Sequence, residues 1–142
     1  MTSSTAAAER PRAASRERAI RTGLGILALV NLFVGAYMVI GPGSFVDKIG
    51  PFGDVNSHYV RDVASWTLAY AAVLFIAAGN RAWRVPVLGF GILQSAFHVV
   101  NHIVDVGDAD PGWVGWFDVI SLTALMGVMI WLLSAERSEV RR

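Results

Sequence analysis

The 142 residues are 54% hydrophobic and 16% charged, with a formal net charge of +1 and no cysteine. A soluble domain of this size carries about 25% charged residues, so the composition points to a bilayer protein, in keeping with a mean hydropathy of +0.50. It excludes a disordered chain, a disulfide scaffold, a thiolate metal centre and a thiol oxidoreductase. The near-neutral charge argues against nucleic acid as a partner.

Residues 1–18 are rich in Ala, Ser and Arg and read as a flexible basic tail on the cytoplasmic side. Its charges either touch anionic headgroups or act only as topogenic charge. A domain over 19–135 then carries four apolar stretches, at about 22–41, 59–79, 85–104 and 113–133. Each is close to the ~20 residues that cross about 30 Å of hydrocarbon. Backbone amides in lipid must pair within their own segment, so each stretch is expected to be a helix. The first follows Arg16, Arg18 and Arg21 as a signal peptide would. However, it is longer than the usual ~7–15 apolar residues and lacks a small-residue cleavage site. It reads as a retained span. Residues 136–142 form a second short tail.

Basic residues set the orientation. Ten of the twelve fall on one side of the proposed membrane: Arg10 to Arg21, Arg81 and Arg84, and Arg137 to Arg142. The opposite side holds Lys48 and Arg61 with most of the aspartates. Both termini are therefore expected in the cytoplasm. Trp113 and Trp116 would mark the outer interface, and Trp83 and Trp131 the inner one.

The first outer loop begins at the breakers Gly41-Pro42-Gly43 and contains a second turn, Gly50-Pro51-Phe52-Gly53, with a short interfacial turn between them. Asn56 or Ser57 is the expected cap of the second span. The second outer loop carries Asp105, Asp108 and Asp110. This spacing could hold calcium, but it lacks the EF-hand pattern and reads as a solvated turn.

The informative feature is polarity inside the spans. Gln94, His98, Asn101 and His102 lie within about 100° of one face of the third span. His58, Arg61, Asp62 and Ser65 share a face of the second. Asp118 lies on the fourth and Asn31 on the first. All three histidines fall in the outer half, and ionisable residues inside a bilayer are costly enough to raise a functional-site hypothesis. One reading is a metal site, with His58, His98, His102 and Asp118 as ligands to zinc, iron or copper. A second is a small ligand, of quinone type for example, held by Arg61, Asp62, Gln94 and Asn101. A third is structural: Arg61 pairs with Asp62 or Asp118, and the cluster only fixes helix packing. Haem is disfavoured because His98 and His102, one turn apart, cannot be opposite axial ligands, and although a His58–His98 pair could be, no sequence feature requires it. Transport is disfavoured because the inner halves carry no polar continuation. The small-residue pairs Ser65/Ala69 and Gly91/Ser95 are expected to pack inside the bundle.

Over about residues 22–133, the runs Pro42-Gly43-Ser44-Phe45, Asn56-x-His58-x-x-Arg61-Asp62 and His98-x-x-x-His102 give a resemblance to small four-helix membrane proteins of actinobacteria. The general layout is similar to that of DoxX-like proteins. The resemblance implies the fold and a bacterial plasma-membrane address, and brings no substrate. The expectation is thus an all-α, integral membrane, four-helix up-down bundle with an outward-facing His/Asp/Arg site for a small ligand or metal ion. The alternative is a non-catalytic accessory or assembly subunit. Expected partners are the lipid bilayer and either further copies of the chain or a membrane complex. No enzymatic activity is assigned.

Overall fold

A computed structural model describes residues 3–140 of the backbone and the side chains of residues 13–138. It is all-helical: α1 (Ser3–Ile40), the short α2 (Pro42–Lys48), α3 (Ser57–Gly79), a 3-10 turn (Arg81–Trp83), α4 (Arg84–Val104) and α5 (Trp113–Val140). Four of these helices are long and apolar enough to cross a membrane. No more than 28% of the most apolar stretch of any of them is buried within the bundle. Large apolar side chains such as Phe33, Trp66, Phe97 and Ile120 are exposed instead, as lipid-facing helices require. The four interfacial tryptophans expected from the sequence, Trp83, Trp113, Trp116 and Trp131, are also exposed.

The helices run up and down. α1 packs along α3 and α4 along α5, with fewer contacts between the two pairs. The middle of α1, from Ile20 to Ala28, meets the C-terminal ends of α3 and α5 and the start of α4. Their shared core includes Leu24, Leu27, Leu74, Leu88, Met129 and Leu132, all buried. The core therefore sits at one end of the bundle, referred to below as the Arg84 end. Within it the Tyr70 hydroxyl donates to Val87 O at 3.3 Å and lies 3.5 Å from Met129 Sδ. The phenol fits there because residue 91 is glycine, where a Cβ would stand 1.8 Å from Tyr70 Oη.

Two boundaries differ from the sequence reading. α1 begins at Ser3, so the segment read as a tail is continuous with the first span. The Ala-, Arg- and Glu-rich residues 12–19 are good helix formers that continue a helix once the apolar segment has nucleated it, whereas Pro11 lacks the N–H that would bond Ala7 O. The side chains of Arg10, Arg12, Arg141 and Arg142 lie outside the described residues. α5 likewise runs past residue 133 to Val140, and Glu136 on that extension is 1% exposed.

At the opposite end, the histidine end, Pro42 starts α2 with the fixed φ that suits a first helical turn. Tyr37 ties α1 to α2, with its hydroxyl 2.7 Å from Ser44 Oγ. Asn56 caps α3, its side-chain oxygen accepting from the backbone N–H of His58 and Tyr59. The two loops meet where Asp110 N donates to Pro51 O at 3.1 Å. Gly115 lets α5 approach the loop: a Cβ there would stand 2.3 Å from Val106 O. Gly91 and Ser95 are buried between helices as expected, whereas Ser65 and Ala69 are exposed.

Candidate functional site

Helical geometry places His98 and His102 one turn apart on α4, where i,i+4 side chains are neighbours. Their Nε2 atoms are 3.0 Å apart and their ring centroids 4.7 Å apart. At that separation one ring donates Nε2–H and the other accepts. From α5, Asp118 approaches the far side of His102, with Oδ2 3.8 Å from Nδ1. Both side chains are about 15% exposed or less. A separation of 3.8 Å is too long for a hydrogen bond. His102 Nδ1 is accordingly a buried nitrogen with no hydrogen-bond partner among the described residues. Phe52, from the first loop, closes the site edge-on against the His102 ring at a centroid distance of 5.0 Å.

Three of the predicted residues thus come together: His98, His102 and Asp118. His58 and Asp62 form a separate pair on α3, with Nε2 to Oδ2 at 3.4 Å and side chains 79% and 61% exposed. Arg61 is exposed and makes no ion pair among the described residues. The expected pairing of Arg61 with Asp62 or Asp118 is therefore not seen, because the Arg61 side chain lies on the outer surface of α3. Gln94 and Asn101 flank the histidines on the exposed side of the same α4 stripe. Asn31 spends its amide on its own helix, donating to Leu27 O at 2.9 Å. Among the described residues no three His, Cys, Asp or Glu side chains are grouped to hold a metal ion. That includes the loop aspartates Asp47, Asp108 and Asp110, which border an open cleft of about 380 Å³.

The strongest polar constellation lies at the other end. Arg84, 2% exposed, donates through Nη1 and Nη2 to both carboxylate oxygens of Glu17 on α1, at 2.7 and 2.6 Å. Nη1 also reaches Glu136 Oε2 on α5 at 3.0 Å, and Nε donates to Ala77 O in the last turn of α3 at 3.2 Å. Arg81 Nε donates to the second oxygen of Glu136. A single guanidinium on α4 therefore touches the three other long helices, which only the planar fork of arginine can do with this donor count. Arg81 and Arg84, expected from the sequence only as topogenic charge, are thus paired inside the bundle with Glu17 and Glu136. The available signal was two acids set among basic residues, at the same depth as an arginine that opens a span.

Compared with protein-family models, curated proteins and solved structures, the chain matches none of them.

Proposed function

We propose that this four-span membrane protein binds a small ligand or metal ion through the His98–His102 pair, with Asp118 behind His102 as its orienting carboxylate. One observation carries the reading: two imidazole Nε2 atoms converge to 3.0 Å while a carboxylate stands on the Nδ1 side of one ring. Two nitrogens on one tetrahedral zinc stand about 3.3 Å apart at bonds of roughly 2.0–2.1 Å. A carboxylate on the other ring nitrogen is the usual outer-shell support of a metal-binding histidine. The pair supplies two protein ligands, so water or a ligand's own donor atoms fill the remaining positions. His58, Arg61 and Asp62, exposed on α3, and Gln94 and Asn101, on the exposed side of α4, lie outside the pair in this reading. The Arg84 network weighs against the structural alternative. Helix packing is already tied at the other end, and the histidines add no hydrogen bond between helices.

The test uses the purified, chelator-treated protein in detergent. Zinc(II) is expected to raise the unfolding temperature of the wild type, by the linkage of binding to stability, and to leave the His98→Gln/His102→Gln double variant unshifted. No shift in either protein, or equal shifts in both, refutes the site and leaves the accessory-subunit reading. We also propose cytoplasmic termini and a bacterial plasma-membrane location, on the basic-residue asymmetry. A periplasm-active reporter fused after Arg142 is then inactive, and activity there reverses the orientation. The resemblance to actinobacterial four-helix proteins, carried by Asn56-x-His58-x-x-Arg61-Asp62, is proposed on the same footing.

A further inference from the structure

From the exposed face of α4 we infer that the protein self-associates in the membrane, as a two-fold dimer with α4 against α4 and Gln94 at the shared axis. Gln94 is ten residues from Arg84 and ten from Val104, the two ends of α4. At about 1.5 Å per residue it sits roughly 15 Å from either end, in the middle of the hydrocarbon. Its side chain is exposed and has no hydrogen-bond partner among the described residues. Lipid can neither donate to it nor accept from it, and an amide left unsatisfied in hydrocarbon is costly.

The pattern around Gln94 identifies the partner. Phe90, Gln94, Phe97, Asn101 and Val104 follow one another at alternating spacings of four and three, the seam spacing of a helix that packs along another helix. All five are exposed, with Phe97 at 70% and Val104 at 75%. Two members of the seam, seven residues apart, are amides, and each is both donor and acceptor. Copies of one chain insert with the same orientation, so a two-fold axis along the membrane normal places every residue opposite its own equivalent at equal depth. A second copy therefore presents an amide where Gln94 needs one, and again at Asn101. Amide side chains bonding across helices are a known adhesive of membrane helices. An unrelated partner helix would need polar groups at both depths by coincidence.

The chain has no cysteine, so single thiols report contacts without background. Phe97 lies seven residues from the Val104 end of α4, and Ile120 lies seven residues from the Trp113 start of α5. Ile120 is 67% exposed and serves as the matched-depth control. In native membranes under oxidising conditions, Phe97→Cys is expected to give the covalent dimer while Ile120→Cys stays monomeric. Adding Gln94→Leu to Phe97→Cys should cut cross-linking roughly threefold, the effect of about 0.6 kcal/mol per interhelical hydrogen bond. That variant makes the span more apolar and does not threaten insertion. Equal cross-linking at the two positions overturns the inference. So does a monomer at Phe97→Cys, a cross-link there to a different protein, or a yield indifferent to Gln94→Leu.

Discussion

The two ends of the bundle solve the same problem, holding polar groups in or near lipid, in opposite ways. At the Arg84 end, four long helices converge on one guanidinium that makes four hydrogen bonds, to two carboxylates and a helix-terminal carbonyl. At the histidine end, two rings pair along one helix, a carboxylate stands 3.8 Å away, and one buried nitrogen has no partner among the described residues. The first arrangement spends its buried arginine and both carboxylates on one another. The second has unused valence. Well-paired buried polar networks help to specify a structure, so stability is expected to concentrate at the Arg84 end and binding at the other.

The sharpest way to break this comparison is Arg84→Met. It leaves Glu136, 1% exposed, with only the half-exposed Arg81 as a cation, and takes from Glu17 both of its hydrogen bonds to Arg84 and from Ala77 O its donor. The expected loss is about 3–5 kcal/mol, read as a large fall in the unfolding temperature in detergent; a loss under about 1 kcal/mol would mean that the network does not hold the helices together. Next in size is Gly115→Ala at the histidine end. The new Cβ meets a backbone oxygen at 2.3 Å, so the loop must move, at about 1–3 kcal/mol. Denaturant unfolding measures that cost, and the Phe52–His102 contact should loosen with it. The double variant His98→Gln/His102→Gln should cost less than about 1 kcal/mol, since no hydrogen bond between helices is lost and glutamine is at least as good a helix former. A cost rivalling that of Arg84→Met would make the histidines structural and erase the contrast. Smallest is His58→Ala, which removes an exposed i,i+4 pair and should stay within about 0.5 kcal/mol in the same assay.

The four spans were legible because lipid forces long apolar runs to be helices, and no tertiary context can override that demand. Ends were not. α1 and α5 both extend beyond their apolar segments, through residues whose hydropathy says nothing and which, Pro11 apart, are mostly compatible with a helix. Within the site, the i,i+4 spacing gave the His98–His102 pair correctly, and depth matching brought Asp118 beside it. Depth matching failed for His58, Arg61 and Asp62. Residues at one depth share a layer, but only the rotation of each helix decides whether they face inward, and α3 turns this trio outward. Arg84 and Glu136 were missed for a related reason. Charges at span ends carry a topogenic signal in sequence, and that signal is the same whether the side chain reaches into water or into the bundle.

The Arg84 network also carries a consequence for the order of synthesis. Its members come from α1, the end of α3, the start of α4 and the far end of α5, so they leave the ribosome at widely separated times. When α4 inserts, Arg84 can already meet Glu17 and Ala77 O, but Glu136 arrives only with the last span. A chain stalled before α5 holds an arginine short of one carboxylate in a half-built core. The network therefore closes only once the fourth span is in place.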